Sequence, residues 1–189
     1  ITVFVKDGIP ENNLPAKIKE KSKLSQKEWV EFTKQIWNIP IPGKGDLAFG
    51  EHSAIMPEEI VRRCVRLFTF VGDIVLDPFA GSGTTLKVAK ELERNFVGYE
   101  ISKSYEDIIK LKLGPKLFWF MLKINQIYNL DCFDFLSKID DNSINLAVID
   151  PPYNMSKADW DTFKSHKDFL DFTYKWIDAL LPKLKQNGS

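Results

Sequence analysis

The sequence is poor in cysteine and histidine, and its charges balance. Cys64 and Cys132 are its two cysteines, which are too few for a disulfide framework and indicate a reducing environment. With His52 and His166 as the two histidines and no cysteine pair, no metal site is predicted. Basic and acidic residues both number 26, which argues weakly against a broad basic surface for nucleic acid.

Long apolar runs and a signal peptide are also missing. No run approaches the roughly 18 apolar residues that a membrane-spanning helix needs, so we expect no membrane partner and a cytoplasmic location. The chain has 189 residues, of which 44% are hydrophobic and 28% charged. These values are typical of one globular domain with a buried core.

The hydrophobic pattern predicts an α/β fold. After an irregular arm, Ser25 and Glu28 fit a capping box that opens a helix reaching Ile36, and a second helix is predicted from Pro57 to Phe68. Strands and helices then alternate, which indicates a parallel sheet. The predicted strands are 74–76, 95–99, 124–131 and 144–150, and the predicted helices are 86–92, 105–113, 132–139 and 169–184.

The sequence DPFAGSGTT, residues 77–85, joins the first predicted strand to a helix. Gly81 and Gly83 allow a tight turn, which lets a ligand approach main-chain nitrogens at the helix start. A triphosphate loop would need lysine where Thr84 stands, and a dinucleotide fingerprint would need a third glycine. The loop therefore favours a nucleoside that carries an amino acid, with Glu100 accepting hydrogen bonds from the ribose hydroxyls. The alternative is a tight turn without a ligand.

A second motif, AVIDPPYN, occupies residues 147–154. Its two prolines cannot donate hydrogen bonds to a sheet, so the strand must stop and leave Asp150 and Tyr153 on a stiff turn. Ligands of open α/β sheets bind at that carboxyl edge. The alternative is a proline-stopped strand with an N-capping aspartate.

Together, DPFAGSGTT and DPPYN resemble the motifs of the amino-group DNA methyltransferases, which transfer the methyl group of S-adenosylmethionine to adenine N6 or cytosine N4. The resemblance covers roughly residues 25–189 and is strongest to the beta branch. It implies a Rossmann-like sheet, with seven strands when complete, in a prokaryotic restriction-modification enzyme. Its partner would be double-stranded DNA with one base flipped out.

The resemblance also assigns roles to individual residues. Asp150 and the rigid carbonyl that follows it would accept the hydrogens of the target amine, while Tyr153 stacks on the base. The catalytic turn is Asp150, Pro151, Pro152 and Tyr153. The cofactor site comprises His52, Ala54, Asp77, Pro78, Phe79, Gly81, Ser82, Gly83, Thr84, Glu100, Asp131 and Cys132. Aspartate at position 150 favours adenine, because N4-cytosine enzymes more often carry serine there.

The order of the two motifs departs from that branch, in which DPPY precedes the glycine loop. We therefore interpret residues 25–120 as a cofactor-binding segment and residues 121–189 as a catalytic segment of the same α/β domain. A circular permutation or a tandem junction would join them, and the alternative is one fold with a natural loop-first order that is cut short. Residues 1–24 would be an irregular arm or the end of a recognition region. The sheet is then incomplete or in an unusual order.

Two other functions are compatible with the sequence. A truncated, non-catalytic half would need a complementary chain or a homodimer partner. The other function is methylation of RNA or of a protein amide, because related motifs bind planar amides in enzymes that act on those substrates.

Overall fold

The computed structural model describes residues 5–6, 14–50, 55–114, 124–156 and 159–189. Within these ranges no helix is long and apolar enough to cross a membrane. The helices are α1 (Ala16–Ser22), α2 (Gln26–Phe32), α3 (Glu58–Phe68), α4 (Thr84–Glu91), α5 (Glu106–Leu113), α6 (Cys132–Leu136) and α7 (His166–Leu180). The strands are β1 (Ile74–Asp77), β2 (Asn95–Tyr99), β3 (Gln126–Tyr128) and β4 (Leu146–Ala147). Short 3-10 helices occur at Lys103–Tyr105, Asp159–Asp161 and Leu181–Lys183.

The four strands form one parallel sheet in the order β3-β2-β1-β4. Leu76, at the centre of the sheet, pairs with Val97 of β2 on one side and Ala147 of β4 on the other. The chain builds outward from β1 to β3 and then returns to the opposite side of β1. In open α/β sheets a crevice opens at such a switch point, which here lies beyond the carboxyl ends of β1 and β4.

Helices cover both faces of the sheet. Val75 and Phe96 point to the face that packs against α3, α4 and α5, whereas Leu76 and Val97 point to the face that packs against α6 and α7. Successive strand residues point to opposite faces, so a strand buried on both sides must be apolar throughout. The predicted α/β class and parallel sheet are confirmed.

Helix α4 packs very closely on β2. A Cβ atom on Gly98 would lie 2.6 Å from Leu86 Cδ1, and Leu86 is fully buried. In the dinucleotide fingerprint a glycine in the loop-to-helix turn provides this close approach. Here the glycine is on the strand and the leucine on the helix, which keeps α4 and the loop before it close to the sheet.

Two predictions in the amino-terminal part are wrong. The predicted irregular arm contains α1, and Ser22 Oγ in this helix accepts a hydrogen bond from the Val71 N–H at 2.8 Å. The capping box of Ser25 and Glu28 is present, but α2 ends at Phe32 and does not reach Ile36. Trp37 Nε1 donates to the Phe32 carbonyl at 3.0 Å, which satisfies that carbonyl outside the helix.

Element boundaries in the carboxyl-terminal part also differ from prediction, most clearly those of β4 and α7. Strand β4 has two residues, although the Val148 N–H still donates to the Leu76 carbonyl at 2.9 Å before the prolines end the pairing. Helix α7 begins at His166, three residues early, because Ser165 caps it. It ends at Leu180, and the chain continues as a 3-10 helix that contains Pro182.

Candidate functional site

Two loops leave the same edge of the sheet. The glycine loop, residues 77–85, begins at the last residue of β1, and the proline turn, residues 150–156, follows β4, the neighbour of β1. Residues of both loops line one cavity of about 440 Å³. Small-molecule sites occupy roughly 300–1,000 Å³, so this cavity has the size of a cofactor site.

The glycine loop turns through left-handed backbone and is fastened to β1 and β2. Gly81 has a φ of 50°, and its N–H donates to Glu100 Oε2 at 2.7 Å. The Ala80 N–H donates to the Tyr99 carbonyl at 2.6 Å. Asp77 Oδ1 accepts from the Phe79 N–H at 3.0 Å. These bonds fix the path of the loop along the cavity.

Gly83 does not line the cavity, and its contact with the cofactor stays a prediction. It precedes α4 with a φ of 78°, and a Cβ atom there would lie 3.3 Å from Ile109 Cγ1. Glycine is required at this position by backbone conformation and by packing against α5.

A buried lysine supports the glycine loop. Lys112 Nζ donates to Ser82 Oγ at 3.1 Å and to Thr84 Oγ1 at 3.3 Å, and it pairs with Asp46 Oδ1 at 3.3 Å. The Lys112 side chain is only 2% exposed. Asp46 Oδ1 also accepts from the Ala48 N–H at 2.8 Å. The ion pair therefore ties the segment around residue 46 to the glycine loop.

Burial shifts the protonation of two cavity carboxyls. Burial raises the pKa of Asp77 to about 7, against hydrogen bonds from the Thr85 hydroxyl and the Phe79 N–H. Burial also raises the pKa of Glu100, whose Oε1 accepts from the Ser102 N–H at 2.7 Å. Each carboxylate oxygen has two lone pairs, so Glu100 keeps acceptor capacity beyond its main-chain bonds.

The proline turn brings Asp150 and Tyr153 together. Tyr153 Oη donates to Asp150 Oδ1 at 2.7 Å. Burial, followed by this hydrogen bond and the charge of Asp150, raises the pKa of Tyr153 to about 12. The Tyr153 side chain is nevertheless 57% exposed, so its ring is accessible beside the cavity.

Asp161, which sequence reasoning missed, anchors the proline turn. Its Oδ1 accepts from the N–H groups of Tyr153 at 2.6 Å and Asn154 at 2.8 Å, and its Oδ2 accepts from Met155 at 3.0 Å. Asp161 is 2% exposed and lines the cavity. Its partners are main-chain groups, which any residue carries, so no local pattern could indicate them.

The start of α6 contributes a third wall. Asp131 caps this helix by accepting from the Phe133 N–H at 2.9 Å, and both Asp131 and Cys132 line the cavity. Burial, followed by the charge of Asp131, raises the pKa of the Cys132 thiol to about 12. Burial also raises the pKa of Cys64. Both cysteines are therefore thiols at neutral pH, unlike a thiolate nucleophile.

Aromatic side chains connect the two loops through α7. Phe172 packs against Phe79 of the glycine loop, with 6.2 Å between ring centroids, and against Phe163, with 5.3 Å. Phe163 lies two residues beyond Asp161, and its N–H donates to Asn154 Oδ1 at 3.1 Å. The apolar face of α7 thus helps set the separation of the loops.

Most of the predicted site residues lie together at the cavity. Those that line it are Asp77, Pro78, Phe79, Gly81, Ser82, Thr84, Glu100, Asp131, Cys132, Asp150, Pro151, Pro152 and Tyr153. His52 and Ala54 lie outside the described residues, whereas the nearby Met56 lines the cavity. Lining residues that were not predicted are Met56, Ala80, Thr85, Tyr99, Ile101, Tyr105, Leu130, Met155, Asp161 and Phe172.

The charged residues that line the cavity are all acidic in the part of the chain that the structure describes. The five acidic residues are Asp77, Glu100, Asp131, Asp150 and Asp161. Phosphate groups would be repelled by this lining, whereas a cationic ligand would be attracted.

Comparison with known proteins gives a family. A family model described as DNA methylase, N6_N4_Mtase, matches residues 1–111 and 144–189. The type II methyltransferase M1.MboII of Moraxella bovis is 61% identical over 69 residues, which are 36% of this chain and 26% of that protein. The type II methyltransferase M.MjaI of Methanocaldococcus jannaschii is 44% identical over 108 residues, or 54% of this chain and 36% of that protein.

A solved structure is also similar in part. A DNA modification methylase of Thermus thermophilus, crystallised in complex with S-adenosyl-L-methionine, is 38% identical with a TM-score of 0.44, and the match covers 53% of this chain and 37% of that one. The chain spans only about a quarter to about a third of the length of the two curated relatives. Since the family model matches most of its residues, the chain belongs to the N6_N4 family of DNA methylases.

Proposed function

We propose that the chain binds S-adenosylmethionine at the glycine loop and transfers its methyl group to N6 of adenine in a specific DNA sequence, as part of a prokaryotic restriction-modification system. The observation that carries the proposal is the shared cavity of the glycine loop and the proline turn at adjacent strand ends. A donor held by one loop would face an acceptor held by the other.

The charge of the cavity supports this cofactor. S-adenosylmethionine carries a sulfonium and an ammonium group against one carboxylate, so it is a net cation. The acidic lining favours such a ligand over a nucleotide phosphate. Glu100 would accept hydrogen bonds from the ribose, and Asp131 and Cys132 would lie beside the adenine ring.

The proline turn supplies what an aromatic amine needs. Bound S-adenosylmethionine provides an electrophilic methyl group, but the lone pair of the amine is delocalised into the base. Asp150 and the Pro151 carbonyl would each accept one amino hydrogen, which favours a pyramidal nitrogen with a localised lone pair. The nitrogen lone pair would form the new N–C bond while the methyl–sulfur bond breaks and its electron pair stays on sulfur as a neutral thioether. The methylated nitrogen would then lose a proton to solvent.

The choice of base is part of the proposal. Asp150 favours adenine N6, and cytosine N4 is the alternative because both amines present two hydrogens to the same acceptors. The exposed Tyr153 ring would stack on a base flipped out of the duplex.

The arrangement of segments is a further proposal. The segment 25–120 supplies β1 and β2, and the segment 121–189 supplies β3 and β4 of the same sheet. A circular permutation or a tandem junction near residue 120 is supported by the family match, which is interrupted between residues 111 and 144. A complete reading frame with recognition sequence on both sides would favour the tandem arrangement.

A methyl-transfer assay tests the function. Radiolabelled S-adenosylmethionine is incubated with the protein and with duplex DNA, RNA or protein, and the DNA product is digested and analysed by mass spectrometry. We expect label in DNA as N6-methyladenine. Label in N4-methylcytosine would select the alternative base, and label in RNA or protein would replace DNA as the substrate.

A non-catalytic half is the second candidate, because the chain spans a small part of its relatives' length. It predicts cofactor binding without transfer to any DNA until a complementary chain or second copy is added. Transfer by the isolated chain would exclude this candidate.

A further inference from the structure

The three main-chain N–H groups that follow the prolines converge on one carboxylate. Tyr153, Asn154 and Met155 all donate to Asp161, at 2.6, 2.8 and 3.0 Å. Asp161 is almost completely buried, and its own main-chain carbonyl accepts from the Ser156 N–H at 3.1 Å. Four successive residues of the proline turn are thus fixed by one side chain and one peptide group.

The turn needs such an anchor for two reasons. Pro151 and Pro152 have no N–H, so hydrogen bonds to β1 cannot continue past the strand. Asn154 and Ser156 have φ values of 58° and 53°, a left-handed conformation that asparagine tolerates but that is unfavourable for serine. A strained turn persists only where its surroundings determine it, and here Asp161 supplies the determining contacts.

The anchor is itself held by the hydrophobic core. Phe163, two residues after Asp161, packs against Phe172 of α7, which also contacts Phe79 of the glycine loop. The segment that carries Asp161 and the loop on the other side of the cavity therefore pack against the same side chain of α7.

We propose that Asp161 is the positioning residue of the proline turn: by holding the N–H groups of residues 153–155, it sets Asp150 and Tyr153 at the distance from the glycine loop that methyl transfer requires. This inference rests on the proposed function for its kinetic consequence. Its structural consequence, the ordering of the turn, is independent of the substrate.

Three variants test the proposal. Asp161→Ala removes every side-chain acceptor, whereas Asp161→Asn keeps one oxygen for Tyr153 and Asn154 but turns an N–H₂ group toward Met155. Asp73→Ala is the control. Asp73 Oδ2 also accepts a main-chain N–H, from Phe70 at 2.8 Å, but it lies just before the amino end of β1, away from the proline turn.

Hydrogen–deuterium exchange provides the first readout. We expect the peptide 150–156 to exchange at least about tenfold faster in Asp161→Ala than in the parent, while the peptide 77–85 is unchanged. Asp161→Asn should be intermediate, and Asp73→Ala should leave the peptide 150–156 unchanged. Equal protection of this peptide in Asp161→Ala and the parent would overturn the proposal.

Methyl-transfer kinetics provide the second readout. We expect kcat of Asp161→Ala to fall by about 10²-fold, since small misplacements of reacting groups have effects of this size, while cofactor affinity is unchanged. Asp161→Asn should recover part of kcat. A loss of cofactor affinity without a loss of kcat would contradict the assigned role.

The two readouts separate failure of the inference from failure of the proposed function. Faster exchange in Asp161→Ala, together with a parent that methylates no DNA, would leave the anchor established and the function wrong.

Discussion

The glycine loop and the proline turn follow neighbouring strands of the same sheet, but their backbones turn in different ways. The glycine loop uses the conformational freedom of Gly81 to turn, and its N–H groups stay available to bond Glu100 and Tyr99. The proline turn removes two N–H groups and then passes through left-handed Asn154 and Ser156.

Both loops depend on a carboxylate that accepts main-chain N–H groups. In the glycine loop this carboxylate is Glu100, which stands at the end of the adjacent strand and also lines the cavity. In the proline turn it is Asp161, which accepts three bonds. The two carboxylates differ in place: Glu100 is shared between the loop and the cavity, whereas Asp161 bonds three successive residues of the proline turn.

The largest expected effect comes from removing the acceptor of the proline turn. Asp150→Ala should lower kcat by about 10²–10³-fold, the usual effect of removing one group that stabilises the transition state, and should leave the cofactor dissociation constant unchanged. Single-turnover methyl transfer and calorimetry measure the two quantities. Equal rates in Asp150→Ala and the parent would remove Asp150 from the mechanism.

The next effect concerns pH and the glycine loop. Because the pKa of Asp77 is about 7, its carboxyl is increasingly neutral below that pH, and a cationic cofactor must displace its proton. Affinity for S-adenosylmethionine should therefore fall by up to about tenfold per pH unit below 7 and level off above it. Asp77→Asn should abolish this dependence in titrations between pH 5 and 8.

Asp77 should also make the stability of the protein depend on pH. Its pKa is about 7 in the folded protein and 3.8 ordinarily, so the folded form binds more protons between these values. The free energy of unfolding should fall as pH rises from 3.8 to about 7. Asp77→Asn should flatten this slope in thermal melts, and an unchanged slope would show that another group causes it.

A smaller effect is expected from a substitution in the glycine loop. Gly81→Ala places a side chain at a φ of 50°, at a cost of about 1–2 kcal/mol, and should weaken cofactor binding by roughly tenfold. Gly72→Ala is the matched control, since its φ is 90° and no other atom lies within 4 Å of a Cβ there. Equal loss of affinity in both variants would point to global destabilisation.

The smallest effect is expected at the rim of the proline turn. Tyr153→Phe loses the hydrogen bond to Asp150 but keeps the ring, so KM for DNA should change little. Tyr153→Ala also loses the stacking surface, worth roughly 1–3 kcal/mol, and should raise KM by about tenfold or more. Identical KM values in the two variants would contradict stacking on Tyr153.

The features that were predicted correctly are those that depend on residues close together in the sequence. Proline restricts the backbone at its own position and glycine permits turns that other residues disfavour, so residues 77–85 and 150–154 predicted loops after β1 and β4. Strand β4 nevertheless ends at Ala147, earlier than predicted. The apolar runs around Val75 and Phe96 predicted strands, and the structure has β1 and β2 there with both residues buried.

Contacts between distant residues could not be predicted in this way. Asp161 bonds main-chain groups, and Lys112 reaches Ser82 and Asp46 through tertiary packing that has no local periodicity. The early end of α2 depends on Trp37 reaching back to a carbonyl of that helix. Each miss arises because tertiary contacts, rather than the residue's own propensity, determine the outcome.

The central claim is that the glycine loop binds the cofactor and the proline turn binds the target amine. Calorimetric titration of S-adenosylmethionine into the parent, Asp150→Ala and Gly81→Ala tests it most directly. We predict equal binding by the parent and Asp150→Ala and weaker binding by Gly81→Ala. Absence of binding by the parent, or loss of binding in Asp150→Ala with normal binding in Gly81→Ala, would contradict a cofactor held by the glycine loop.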